Sequence, residues 1–395
     1  MSHEPVEIVI TTNSPGEVTG WLTPALRALQ ALTLPAHFTV FVPPCPFASG
    51  TECAVVRDIP GVDLVVGPRG FLLYALLGLR PRGFQPGSRG VVLYLGGDLA
   101  HASLLARKLR YPAVAYTEGA GGAWRAFSRL AVPYSWNKER LVRKGVPGDR
   151  VNVTGNLMLD AVAGNRTREE IRRTMGLGDD PLLLLMPGSR PQHFRHMAPF
   201  FLQAAARIVE ARPEVRCVLS ASPFVPDEQL QRIFRSVNRE SKRDDFSSLL
   251  GPPVLVYRLD GLRIPVYRGR QNDLMAAADL ALTIPGTNTV ELAFHGVPMV
   301  VALQLAHPEH IPVEGPLGLI GALPLLGPVL KKILLPRLAA RIRFAAWPNR
   351  LAAEEIVPEI RGKLRPSDVS RVALFLLADH ERRRVASARL RAVVG

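Results

Sequence analysis

The sequence predicts an α/β protein built from two doubly wound domains in tandem. Three observations predict it. Short, continuously apolar runs alternate with helix-like stretches along most of the 395 residues. The alternation pauses once, over a polar stretch at 161–180, and then restarts. Loops carrying Gly follow several of the apolar runs directly, where a helix-like stretch begins. Runs that are apolar throughout, and not alternating, mark strands buried on both faces of a parallel sheet. Parallel strands in turn require crossovers, which the helix-like stretches supply.

The first series of strands is expected at 6–11, 37–42, 62–66, 91–95, 113–117, 130–134 and 151–154, with helices at about 21–32, 98–109 and 137–144. The second is expected at 182–186, 216–221, 254–257, 264–267, 280–283 and 299–303. Domain limits follow: 1–170, 171–366, and a helical segment at 367–395 with arginines on its outer face. The charged, Ser-rich stretch 236–248 reads as a surface loop.

Composition narrows the function classes. A hydrophobic fraction of 47% with 21% charged residues supports sizeable cores and excludes global disorder. Cys45, Cys53 and Cys217 make no disulfide framework and match no zinc or redox spacing, which points to a reducing compartment. The amino terminus has no basic segment followed by an apolar core, so no signal peptide is expected. The net charge of +15 and pI near 10.4 imply an anionic partner, whether phosphorylated substrate, membrane surface or nucleic acid. Part of that charge follows from an Arg-, Ala-, Leu- and Pro-rich composition. No helix-turn-helix, zinc or RNP pattern occurs, so nucleic acid is not expected.

Function must come from the loops at the strand ends. Pro187-Gly188-Ser189-Arg190 joins a strand to a helix, an arrangement that points backbone N–H groups at an anion. Arg190 adds a bidentate phosphate donor. The alternative is a tight turn with a surface arginine. The second loop, Pro285-Gly286-Thr287-Asn288-Thr289-Val290-Glu291, has two readings. Asn288 and Glu291 make a capping-box variant, or Glu291 accepts hydrogen bonds from a ribose while Gly286, Thr287, Asn288 and Thr289 approach a diphosphate. In the first half, Gly16-Glu17-Val18-Thr19-Gly20 follows the first strand and is not GxGxxG; GxxxxGK[ST] is absent. Gly96-Gly97-Asp98 follows the strand 91–95, with His101 three residues on. Asp98 reads as an N-cap or as a general base. Glu118 is a further strand-end carboxylate.

Taken in this order, the loops resemble the lipid-A-disaccharide synthase family. The resemblance rests on Met186-Pro187-Gly188-Ser189-Arg190, on the DLMAAAD run at 273–279, on Gly286-Thr287 with Glu291, and on Gly296-Val297-Pro298-Met299-Val300-Val301. Pro348-Asn349-Arg350-Leu351-Ala352, Ile356-Val357-Pro358-Glu359 and the Gly16–Gly20 loop add to it, and Asp98 falls where the family carries an essential aspartate. The resemblance implies two facing Rossmann-like domains of GT-B type, with an acceptor-side first domain and a nucleotide-sugar-binding second one. It implies inverting, metal-independent transfer of a sugar from a UDP-sugar donor to a lipid-linked acceptor, with no cofactor. The absence of a DxD sequence agrees with this. Arg190 and helix N-termini would neutralise the leaving diphosphate. Asp98 would act as base, with His101 or Glu17 behind it, and Gly16, Gly20 and Glu118 would line the acceptor loop.

The departures cluster in the first half. Trp21 replaces the acidic end of the family's GExSGD loop, Leu99-Ala100 replace Phe-Asn, and Gly155-Asn156-Leu157 replaces Gly-His-Pro. In the second half, the family's acidic residue after PGSR is replaced around His193. The donor side is kept and the acceptor side altered. A UDP-N-acetylhexosamine epimerase of the same architecture is one alternative, and a non-catalytic binding protein another.

Two apolar segments bear on location. The stretch 315–335 is interrupted by Gly and Pro and carries Lys331-Lys332, which suits shallow insertion at an anionic bilayer. The stretch 71–79 reads as a core helix with basic flanks. The expected place is cytoplasmic, peripheral to the inner face of the plasma membrane; the oligomeric state is open, a homodimer included. His307, His310, Glu309 and Glu314 do not make a metal site, because Pro308 breaks the helix that HExxH needs.

Overall fold

The computed structural model describes residues 5–45, 48–119, 121–162, 166–235, 255–259, 262–304 and 343–394. The stretches 236–248, 307–314 and 315–335 discussed above lie outside them. The chain divides into two compact units, Met1–Ala163 and Gly164–Gly395.

Unit 1 holds a seven-stranded sheet of β1 (Val6–Thr11), β2 (Ala36–Phe41), β3 (Leu64–Val66), β4 (Gly90–Tyr94), β5 (Ala113–Tyr116), β6 (Arg129–Val132) and β7 (Val151–Val153). Its order is β3-β2-β1-β4-β5-β6-β7, parallel throughout. All seven carboxyl ends therefore share one edge, and the winding reverses between β1 and β4. Val9, Val92, Leu130 and Val132 are buried, as sheet residues covered on both faces should be.

The expected helix at 21–32 is interrupted at its start. Val18–Leu22 forms a π-helix and Thr23–Ala31 an α-helix. Pro24 has no N–H to offer the carbonyl one turn back, and two hydroxyls satisfy nearby carbonyls: Thr19 Oγ1 donates to Pro15 O (3.0 Å) and Thr23 Oγ1 to Val18 O (2.9 Å).

The segment expected as a core helix is only half one. In the helix Pro68–Leu77, Phe71, Tyr74 and Ala75 are buried, but Leu76 and Leu77 are 71% and 68% exposed, and Leu72, Leu73 and Leu79 are exposed as well. A sequence apolar all round does not reveal that one face meets no partner in the unit.

Unit 2 holds β8 (Leu182–Met186), β9 (Arg216–Ala221), β10 (Leu255–Leu259), β11 (Leu262–Arg268), β12 (Leu280–Thr283), β13 (Met299–Gln304) and β14 (Glu359–Gly362). The order is β10-β11-β9-β8-β12-β13-β14, with the reversal between β8 and β12. Six strands are parallel; β10 runs antiparallel to β11 at the edge. The parallel reading of that pair fails because two residues join the strands, too few for a crossover. The helix Pro366–Ala378 belongs to this unit's core, where Val369, Ala373, Leu376 and Leu377 join the cluster containing Phe201, Leu202 and Ala205. Both units are thus Rossmann-like and doubly wound, the GT-B type of α/β fold. Among the described residues, no helix is long and apolar enough to cross a membrane.

Candidate functional site

The carboxyl edge of unit 1 is organised by a buried carboxylate. Ser14 caps the short turn Pro15–Glu17, which contains Gly16, and Glu17 folds back to complete a capping box. Glu17 Oε2 accepts from Ser14 N (3.2 Å) and Asn13 N (3.3 Å). Its other oxygen accepts from Gly97 N at 3.2 Å, in the loop after β4. Burial raises its pKa above the ordinary carboxylate value, against the pull of those N–H groups.

This link explains the paired glycines. Gly96 and Gly97 have φ of +137° and +88°. A Cβ on Gly96 would lie 2.3 Å from Glu17 Oε2, and one on Gly97 2.8 Å from Asn13 Nδ2. Tyr94 Oη donates to Gly97 O at 2.6 Å, and burial with the nearby Glu17 and Asp98 charges pushes its pKa up, keeping it a donor. Glu17, Asn13 and Tyr94 together fix the loop that presents Asp98.

Asp98 is exposed, and it caps the helix Leu99–Leu109 by accepting from Ala100 N (2.8 Å). His101 turns its ring edge to Phe71 (centroids 5.0 Å, 74°). Burial lowers its pKa, against a smaller pull from Asp98, and its Nδ1 is buried without a partner among the described residues. Gly20 sits on the π-helix, where a Cβ would meet Met158 Cγ at 3.2 Å. Glu118 contributes its carbonyl, which accepts from Asn137 Nδ2 (2.9 Å) and from Arg140. The structure thus brings Gly16, Glu17, Asp98 and His101 to one edge at the winding reversal, with Glu118 one strand further on.

In unit 2, the two Gly loops flank the corresponding reversal. Gly188 has φ +103°, and a Cβ there would lie 2.6 Å from Ile284 Cδ1, in the loop after β12. Ser189 is exposed and Arg190 is half-buried at the N-cap of the 21-residue helix Pro191–Ala211, with no side-chain cap bond. The first turn of that helix carries its positive dipole end.

The capping-box reading of Asn288 and Glu291 fails. The N-cap of the helix Asn288–Phe294 is Thr287, and the Asn288 amide donates back to Thr283 Oγ1 instead. Thr289 Oγ1 donates to Gly286 O (2.7 Å) and accepts from Trp347 N (3.2 Å). The Glu291 carboxylate makes no hydrogen bond among the described residues, and desolvation pushes its pKa up to about 7.

The motifs near the end of the chain are scaffolding. Buried Asn349 accepts from Ile356 N (2.8 Å) and Val357 N (3.0 Å) and donates to Glu359 (2.9 Å). Glu359 also accepts from Ala345 N (2.8 Å), Ala346 N (3.0 Å) and Arg361 (2.5 Å), bonds that hold its pKa low despite burial. Through Trp347 this knot steadies the turn that carries Glu291. Asp279 accepts from Arg168 (2.6 Å), Arg172 (2.9 Å) and Leu182 N (2.8 Å), pinning the helix Arg168–Thr174 to the sheet. Among the described residues, no group of three or more His, Cys, Asp or Glu could hold a metal ion.

Comparison with known proteins fits this arrangement. A family model described as lipid-A-disaccharide synthetase matches residues 255–308, which include the Gly286 loop and Glu291. The lipid-A-disaccharide synthase of Alkalilimnicola ehrlichii is 27% identical over 316 residues, 76% of this chain and 70% of its own. Over these spans the chain is similar to lipid-A-disaccharide synthases. A member of that family from Ruegeria pomeroyi is 36% identical over 135 residues, 34% of this chain and 30% of its own. One from Pseudomonas putida F1 is 27% identical over 219 residues, 55% of this chain. The match spans 45% of that relative's length. Among solved structures, a UDP-GlcNAc 2-epimerase from Neisseria meningitidis bound to UDP-GlcNAc superposes with a TM-score of 0.55 at 13% identity, covering 97% of this chain and 94% of its own. The S. aureus MnaA–UDP co-structure gives 0.52 at 14%, covering 97% and 91%. At that identity the likeness is one of fold.

Proposed function

We propose that this relative of the lipid-A-disaccharide synthases is an inverting, metal-independent glycosyltransferase that moves a sugar from a UDP-sugar to a lipid-linked acceptor. The observation that carries the donor half is Glu291: a half-buried carboxylate with no hydrogen bond among the described residues, beside two Gly loops at a winding reversal. A half-buried carboxylate whose oxygens no described residue engages can accept hydrogen bonds from a ligand. The two hydroxyls of a ribose supply them. The diphosphate then lies against Gly188, Arg190 and the first turn of Pro191–Ala211, with Gly286 and Thr287 on the adjoining strand end.

Unit 1 supplies the base. Glu17 spends both oxygens on backbone N–H groups, so it acts by holding the Gly96–Gly97 loop, while exposed Asp98 is free to reach a substrate. Asp98 takes the proton of the acceptor hydroxyl as that oxygen attacks the anomeric carbon. The bond from that carbon to the diphosphate oxygen breaks, and UDP leaves with its charge met by Arg190 and the helix N-terminus. An epimerase would use the same nucleotide loops without an acceptor. The exposed leucine face of Pro68–Leu77 favours the lipid reading.

That face, with Arg69, Arg80 and Lys108 near it, suits shallow docking on the anionic inner face of the plasma membrane from the cytoplasmic side. Replacing Leu72, Leu76 and Leu77 together with Ser is expected to lower binding to phosphatidylglycerol-containing vesicles at least tenfold without lowering stability, since each leucine is worth about 1.5–3 kcal/mol on burial. Flotation measures this, and undiminished binding would remove this helix from the membrane contact.

Uridine, which carries no phosphate, tests the Glu291 assignment. Desolvation pushes the Glu291 pKa up to about 7. Ribose hydroxyls donating to it favour the ionised form and lower that pKa, so binding releases a proton. Affinity therefore tightens as pH rises, by up to about tenfold per unit below 7, and levels off above it. Glu291→Gln is expected to bind weakly with a flat profile. A flat profile in the unaltered protein, by calorimetry between pH 5 and 8, contradicts the assignment.

A further inference from the structure

We propose that the carboxyl edge of unit 1 carries a stacking site for a hexose ring, built on Trp136 and held by the loops after β5, β6 and β7. The site deepens the acceptor half of the reading above, and rests on it for its role in the reaction.

The placement follows from the sheet. Every strand of unit 1 is parallel, so the loops after β4, β5, β6 and β7 stand in a row in that order. Asp98 lies in the first. Neighbouring strands are about 4.8 Å apart, so the loop after β6 begins roughly 10 Å from the one bearing Asp98. That is a distance a single sugar ring and its substituents can span.

Trp136 lies in the first turn of the helix Ser135–Arg143 and is 43% exposed. It stacks nearly parallel to Tyr134, with centroids 5.8 Å apart and planes 13° apart. The Arg140 guanidinium, one turn on, lies over its ring, 5.5 Å from the centroid. The mount is rigid. Asn156 Nδ2, after β7, donates to Tyr134 Oη at 2.9 Å. Asn137 and Arg140 both donate to the Glu118 carbonyl, after β5. An indole contributing little to the core is thus fixed by three separate loops.

A second observation points to a polar ligand. Asn137 is fully buried, yet its Oδ1 has no partner among the described residues, and neither has the buried Nε of Arg140. Both groups belong to the side chains that brace Trp136. A hexose pairs an apolar C–H face with a polar rim. An aromatic surface beside a guanidinium and a carboxamide matches both parts.

Saturation-transfer NMR with methyl β-D-glucopyranoside on the full chain tests this. We expect transfer concentrated on H1, H3 and H5, the axial protons of one ring face. Trp136→Ala should cut it at least fivefold, and Trp136→Phe should keep most of it. UDP binding should be unchanged in both variants, and Trp136→Phe should keep the melting temperature, because its ring can keep the contact with Tyr134. No transfer to the glucoside, transfer spread evenly over the ring, or transfer surviving in Trp136→Ala would each overturn the proposal. UDP binding is read separately, so failure of the stacking site and failure of the nucleotide assignment are distinguishable.

Discussion

Asp98→Asn is expected to lower kcat for sugar transfer by about 10²–10⁴-fold, the range a positioned general base contributes, and to leave UDP affinity unchanged. The substitution isolates chemistry from folding. Asp98 has a structural role, capping Leu99–Leu109 through Ala100 N. Asn caps helices as well as Asp does, because its carbonyl oxygen accepts the same bond. Glu17 still holds Gly97, and Tyr94 still holds the Gly97 carbonyl. What is lost is a group able to take the acceptor proton. Neighbouring His101 does not substitute readily, since its ring packs on Phe71. Transfer at the unaltered rate, measured by UDP release with a lipid-linked sugar acceptor, would remove Asp98 from the mechanism.

Arg190→Ala is expected to weaken UDP binding about ten- to hundredfold, the worth of charge-assisted hydrogen bonds of about 1.5–3 kcal/mol. Uridine affinity should stay within about twofold, because uridine has nothing for the guanidinium to meet. The helix should survive: Arg190 stands at its N-cap but makes no cap bond, and Pro191 at the first position keeps the turn. Equal losses for UDP and uridine would mean a distorted Gly188 loop, and unchanged UDP affinity would mean the phosphate lies elsewhere.

Much of this was legible in the sequence, for physical reasons. A run such as Leu182–Met186, five residues long, apolar at every position and followed by Pro-Gly, reads as a strand buried on both faces, and it is one. The Gly loops were visible because helix and strand periodicities meet there. The edge strand Glu359–Gly362 was missed because EIRG is half polar and gives no such signal. The direction of Leu255–Leu259 was misjudged because apolar periodicity identifies a strand without orienting it. The Asn288 amide escaped because its partner, Thr283, belongs to the preceding strand. The contact of Glu17 with Gly97 crosses 80 residues and depends on β1 lying beside β4, an order no local pattern encodes. The exposed face of Pro68–Leu77 was hidden for the same reason: burial is decided by neighbours, not by composition.

The most direct test of the central claim is thermal stability with UDP, against ADP, GDP and buffer. UDP at about 100 times its dissociation constant should stabilise the protein by roughly 2.7 kcal/mol, with no comparable shift for the purine nucleotides. A shift for UDP alone is the predicted result. Equal shifts for all three nucleotides, or none for UDP, would contradict the assignment of a uridine-diphosphate site to the Gly188 and Gly286 loops.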